Sequence, residues 1–371
     1  MSASVNNSSV ALKFDLNGPQ PDYLIRMVLI WIIIVVGLIG NSFIVAVIII
    51  FRRMRTTTNY LLVNVAVADI TTLLSTAMHF IPIKGPFSDS ALGSFLCKFV
   101  YTNNISMVML LVTTLTLTLL AVERYHAMVK PLVISRRITK ERIAYVIFGI
   151  SLIAIAMATP LFLSVDYRPN SKSPCIARNS FDAMKVYVYC LVVILTLIPF
   201  FAIAFCYSRI IFGLYFGNTI CSRGQGICAQ EEMAEKKRMV IVLLTLTTVF
   251  FVAYVPYGAA LVLQFSGMAN DSVEKLRLFS RFKIGVQYLT LLNCSINPFI
   301  YAIPSANYRC CFKYLFKKIF LRNTREEFDA IELMMRRDII WGPMSLLQFS
   351  DKPCYSWKVK TGTSEFTMMT F

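Results

Sequence analysis

The chain has 371 residues, 57% of them hydrophobic and 15% charged, with a mean hydropathy of +0.63. That is more apolar material than a soluble globule of this length buries, which points to a membrane protein. The formal charge of +17 does not point to nucleic acid, because most lysines and arginines flank apolar runs, where anionic lipid headgroups attract them.

Residues 1–23 form a polar leader. Within it Asn6-Asn7-Ser8-Ser9 carries two overlapping N-glycosylation acceptor patterns, on Asn6 and Asn7. A helix needs about 20 mostly apolar residues to cross a bilayer, and runs of that kind cover residues 24–51, 60–83, 97–122, 142–163, 186–212, 239–264 and 284–303. The first follows the polar leader and is too long for a signal peptide, so it reads as a retained helix. Ten-residue alternating segments, the mark of a membrane barrel, do not occur. No internal repeat is evident, which argues against a transporter built from inverted halves.

Basic residues follow the first, third, fifth and seventh runs: Arg52, Arg53 and Arg55; Lys130, Arg136, Arg137 and Lys140; Lys236, Lys237 and Arg238; Lys313, Lys317, Lys318 and Arg322. The positive-inside rule makes that side cytoplasmic and puts the N-terminus outside. Of ten cysteines, Cys97 and Cys175 alone sit clearly on the oxidising side, and one disulfide between them is expected. Cys310 and Cys311, just past the last run and beside lysines, suit palmitoylation, with unmodified thiols as the alternative. Residues 305–320 read as an amphipathic membrane-surface helix. Residues 321–371 read as a largely disordered cytoplasmic tail in which Phe328 to Met335 could form a short helix.

The runs carry short motifs in order: Gly40-Asn41; Asn64-Val65-Ala66-Val67-Ala68-Asp69; Glu123-Arg124-Tyr125; Pro199 followed by Tyr207; Phe250 and Tyr254-Val255-Pro256; Asn297-Pro298-Phe299-Ile300-Tyr301. With the seven runs and the outer disulfide, the chain resembles the rhodopsin-like G-protein-coupled receptors over about residues 24–320. The resemblance implies an all-α membrane protein, a seven-transmembrane helix bundle (24–304) with a short amphipathic eighth helix. It implies that Glu123 holds Arg124 at rest and that activation frees the arginine, beside Tyr125, Tyr207 and Tyr301, toward a heterotrimeric G protein. An arginine merely anchored to lipid headgroups is the alternative.

Asp69 is the one carboxylate in the apolar core, where a charge costs about 2.5–3.5 kcal/mol on insertion scales. The resemblance turns Asn41, Thr113, Asn293 and Asn297 toward it, a pocket that could take an allosteric sodium ion as its metal or else close by hydrogen bonding alone. No other cofactor is implied. Pro199, Pro256 and Pro298 supply hinges, with Phe250 and Tyr254 as the trigger beneath the ligand pocket. Thr361, Thr363, Ser364, Thr367 and Thr370 would serve receptor kinases and arrestin.

Several positions depart from the family pattern. Ile150 stands where relatives usually carry tryptophan, Ser90-Ala91-Leu92-Gly93 has none either, and Tyr254 replaces a third. Cys97 lies two residues further from Arg124 than usual, which predicts a bulge or an extra residue at the start of the third helix. Lys236 takes the place of an acid that often forms a second lock, so raised basal activity is expected.

The ligand is narrowed by exclusion. Leu291 replaces the lysine that light receptors need, and Ser106 the aspartate that amine receptors need. Arg55-Thr56-Thr57-Thr58-Asn59-Tyr60-Leu61 is most similar to neuropeptide receptors. A peptide ligand is therefore expected, with a lipid or other small molecule, a constitutively active receptor, or more distantly a seven-helix transporter as alternatives. His79, Ser106, Tyr257, Gln264, Lys283 and Gln287 are pocket candidates, Lys283 and Gln287 sharing one helix face. No enzyme is expected, since His79 falls near the outer end of the second run and His126 at the inner end of the third, too far apart for one catalytic or metal site.

Overall fold

The computed structural model describes residues 21–80, 90–129, 138–169, 175–177, 181–215, 227–266, 272–321, 358–361 and 364–367. Asn6, Asn7, Lys130, Arg136, Arg137 and the 328–335 segment lie outside them.

Ten helices are described: α1 Pro21–Ile50, α2 Thr57–His79, α3 Ser90–Leu96, α4 Asn104–Met128, α5 Ile143–Leu163, α6 Phe181–Val192, α7 Ile198–Tyr215, α8 Ile227–Ser266, α9 Val273–Ala302 and α10 Ala306–Leu321. A π turn, Val193–Leu197, joins α6 to α7 in one rod. Among the described residues six spans are long and apolar enough to cross a membrane: α1, α2, α4, α5, the α6–α7 rod and α8. Their outer surfaces carry Ile32, Phe148, Ile155, Phe201 and Val252 more than half exposed, apolar faces that hydrocarbon rather than water satisfies.

α4 lies centrally, against α2, α5 and α7, while α1 packs on α2 and α9, and α8 on α9. The closeness of α1 and α9 rests on two glycines one turn apart. A Cβ on Gly40 would sit 2.8 Å from Pro298 Cγ, and one on Gly37 would meet Ser295 Oγ and come within 2.7 Å of Leu73 Cδ1. Asn41 then crosses the seam, its amide donating to the carbonyls of Gly37 (2.9 Å) and Cys294 (2.8 Å).

The structure corrects several boundaries. The third apolar run does not form one helix from residue 97. It opens as a π turn, Cys97–Tyr101, and restarts at Asn104, which absorbs the extra spacing before Arg124. The seventh helix begins eleven residues before the apolar run at 284, because Ser272 caps it by accepting from the Lys275 amide (3.2 Å) and no Gly or Pro interrupts residues 273–284. Pro199 is the second residue of α7, directly after the π turn, whereas Pro256 and Pro298 lie inside α8 and α9. Pro199 leaves the Leu195 carbonyl without its helical donor, and the wider turn takes up the misfit.

The fold is also not purely helical. Val165–Tyr167 (β1) pairs antiparallel with Cys175–Ala177 (β2), and Cys175 is bonded to Cys97. The Tyr167 ring covers Gly93, where any Cβ would come within 2.6 Å of ring atoms, so β1 sets an aromatic against the first turn of α3, where residues 90–93 have none. In the tail, Lys358–Thr361 (β3) pairs with Ser364–Thr367 (β4), setting Lys360 opposite Glu365 and Val359 opposite Phe366. This ribbon falls within the tail that the sequence reads as largely disordered.

Candidate functional site

Three sites follow one another along the bundle, from the end opposite the disulfide to the disulfide end. At the first, Arg124 Nε donates to Glu123 Oε2 at 2.6 Å, both side chains largely buried. Arg124 Nη1 also reaches α8 and donates to Met239 Sδ at 3.0 Å. Sequence reasoning did not find Met239, because nothing marks one methionine in an apolar helix. The side chain of Lys236, at the expected lock position, lies outside the described residues. Tyr125 is buried against Phe205 of α7, ring centroids 5.9 Å apart. Tyr207 and Tyr301 are fully packed in the core; the Tyr207 hydroxyl faces the Thr247 side chain of α8, and the Tyr301 hydroxyl meets no hydrogen-bond partner among the described residues. The Tyr301 ring lies 6.2 Å from that of Tyr308 on α10.

α10 separates the two cysteines that the sequence groups together. Cys311 is fully buried in the core beside Tyr308, Tyr314 and Leu315, whereas Cys310 is partly exposed. Burial pushes the Cys311 thiol up to about 12, with Cys310 beside it adding to the shift. Because the thiolate is the nucleophile, Cys311 packed in this way is a poor acceptor for an acyl group.

The middle site surrounds Asp69, 2% exposed, whose Oδ2 accepts from Asn297 Nδ2 at 2.6 Å. Asn41, Asn293, Asn297 and Thr113 are likewise buried, and the side-chain oxygens of the three asparagines have no hydrogen-bond partner among the described residues. One carboxylate with orphaned amide oxygens is the donor set a hard cation takes, so these residues fit a sodium ion. Among the described residues no group of three His, Cys, Asp or Glu could hold a metal. Cys294 places its Sγ 3.9 Å from the Tyr254 hydroxyl.

Tyr254 leads to the third site. Its ring packs on Phe250, centroids 4.6 Å apart, and with Tyr257, Met107, Leu110 and Leu195 it encloses a cavity of about 20 Å³. That is room for about one water molecule, so a ligand group entering here must displace side chains. Toward the disulfide end Lys283 Nζ donates to Gln264 Oε1 at 2.9 Å and lies 5.7 Å over the Phe279 ring. Ser106 Oγ and His79 Nδ1 are buried without hydrogen bonds among the described residues. Of the pocket candidates the structure joins Lys283 to Gln264. Gln287 and His79 make no side-chain hydrogen bond to that pair.

The comparisons agree with this arrangement. A family model described as "7 transmembrane receptor (rhodopsin family)" matches residues 40–301. The chain is 29% identical over 304 residues to the galanin receptor type 1 of Rattus norvegicus, covering 79% of this chain and 82% of that one. It is 26% identical over 312 residues to the KiSS-1 receptor of Homo sapiens, covering 80% and 77%. It is also 26% identical over 318 residues to the substance-P receptor of Aquarana catesbeiana, covering 82% and 73%.

Proposed function

The chain belongs to the rhodopsin family of seven-transmembrane receptors, and from that premise we propose that it is a plasma-membrane receptor that binds an extracellular peptide and activates a heterotrimeric G protein. The observation that carries the signalling half is the double tether of Arg124, to Glu123 on its own helix and to Met239 on α8. A ligand pressing on Tyr254 and Tyr257 acts on α8 at the pocket floor. Movement of α8 about Pro256 carries Met239 away and releases the guanidinium to the transducer. The unpaired hydroxyl of Tyr301 favours a rearrangement that gives it a partner, because a buried orphan hydroxyl costs about 1–3 kcal/mol.

In this reading the Arg124 end is cytoplasmic and the disulfide end extracellular, in line with the basic residues. α9 is the seventh span, its charged first turns standing at the outer mouth. α10 lies along the inner lipid surface with Cys310 available for acylation. The tail threonines and Ser364 serve receptor kinases and arrestin, and sodium at Asp69 favours the resting state. The peptide half rests on the likeness to the galanin, KiSS-1 and substance-P receptors and on Lys283, a half-buried cation beside Gln264 that suits an acidic side chain or a carboxyl end.

Screening a peptide library against cells expressing the receptor, with G-protein activation as readout, tests both halves. The expected result is activation by one or more peptides that vanishes in Arg124→Ala at equal surface expression. Activation by lipids or amines alone overturns the peptide assignment. Full activation of Arg124→Ala overturns the switch.

A further inference from the structure

A cavity of about 150 Å³ opens between α2, α4 and α5, apart from both the pocket floor and the Asp69 site, and is lined by Asn64, Val67, Ala68, Thr71, Val108, Met109, Val112, Ser151 and Ile155. Asn64 and Thr71 are seven and fourteen residues into α2, about 10 and 21 Å along its axis, so the cavity lies at the depth of the hydrocarbon core. Val67 and Ile155, on its rim, are 46% and 53% exposed, so the opening faces lipid.

The polar groups of the wall define what could bind. Asn64 Nδ2 donates to Thr116 Oγ1 at 2.8 Å, and Thr116 Oγ1 in turn donates to the Val112 carbonyl at 2.6 Å. No side-chain partner takes the Asn64 oxygen among the described residues. Ser151 Oγ has given its proton to the Ile147 carbonyl (3.0 Å), and Thr71 Oγ1 has given its own to the Val67 carbonyl (2.8 Å). The wall therefore offers acceptor oxygens at a depth where no bulk water answers them, and a half-satisfied amide there is costly. Cavities of about 150 Å³ accept a single benzene-sized ring.

We propose that this cavity is a second ligand site, entered from the bilayer, for an uncharged lipid-soluble molecule with one ring-sized apolar body and a hydroxyl that donates to Asn64 or its neighbouring oxygens. The ligand's hydroxyl donates to the Asn64 oxygen, because the Ser151 and Thr71 hydroxyls already donate to backbone carbonyls, and the second N–H of Asn64 Nδ2 stands beside it as the one wall donor not given to Thr116. It must be neutral, since no charge lines the cavity to offset the cost of bringing one to this depth.

The full chain in phosphatidylcholine vesicles is photolabelled with a diazirine-bearing dialkylphenol, and labelled peptides are mapped by mass spectrometry. Labelling is expected within residues 64–71, 108–112 and 151–155. The parent dialkylphenol should block it, and the matched dialkylbenzene should compete about 5- to 10-fold more weakly, the value of one hydrogen bond. Ser151→Phe fills the cavity and should abolish labelling there. Asn64→Leu keeps the volume and should bring the two competitors close to equal. The wild-type map and the phenol-to-benzene ratio need no variant to fold. Labelling confined to other segments, equal competition on the wild type, or undiminished labelling in a folded Ser151→Phe receptor overturns the site.

Discussion

Replacing Met239 by Leu keeps the volume at that position but removes the sulfur that Arg124 Nη1 reaches at 3.0 Å. Because Met239 is 37% exposed, the contact is assigned only about 0.5–1 kcal/mol, the low end for a hydrogen bond. If the tether exists only in the resting state, its loss shifts a resting-dominated equilibrium by that amount, raising basal activity about 2- to 5-fold. Met239→Glu places a carboxylate within reach of the same guanidinium and should lower basal activity below native. Glu123→Gln weakens the shorter, better buried contact and should raise basal activity further, about tenfold. Both substitutions free one guanidinium, so the double variant should show less than the product of the single effects. Basal nucleotide exchange on G protein in membranes, normalised to surface receptor, measures all four. Native basal activity in both Met239→Leu and Met239→Glu would refute the cross-helix tether, whatever Glu123→Gln does.

Asp69→Asn should remove a sodium-specific suppression of basal exchange, compared at fixed ionic strength against an organic cation; the same suppression in the variant would show that Asp69 holds no ion. Lys283→Glu should weaken an active peptide by about 1–3 kcal/mol, and far less once the peptide's acidic group is neutralised; equal losses for both peptides would refute the charge pairing. Acyl-exchange labelling should report a thioester on Cys310 that Cys310→Ser removes and Cys311→Ser leaves; the reverse pattern would show that α10 leaves its packed position. Gly40→Val should lower the thermal midpoint and surface yield by forcing α1 from Pro298, at a cost of about 1–3 kcal/mol, and an unchanged midpoint would mean that the seam is looser than described.

Hydropathy carries the spans because a bilayer imposes one length and one polarity on anything that crosses it. Asp69 was legible for a related reason, since a carboxylate is too costly in hydrocarbon to occur there without a use; Arg124 and the three asparagines were marked by the family resemblance. The cysteine pair was legible from compartment alone. Helix ends at the disulfide side were not, because Ser272 extends α9 through charged residues that no apolar window detects, and a π turn leaves no compositional trace before Asn104. Met239 and Cys311 show the same limit in side chains. A thioether earns its meaning only when another helix brings an arginine to it, and two adjacent cysteines part company only when helical rotation buries one and exposes the other. The sequence by itself determined which segments enter the membrane and which polar residues they carry, since each is a local property of composition. Only the tertiary structure decided which of those residues meet, and where cavities stay open, because contacts between helices depend on rotation and close approach set by packing partners far apart in the chain.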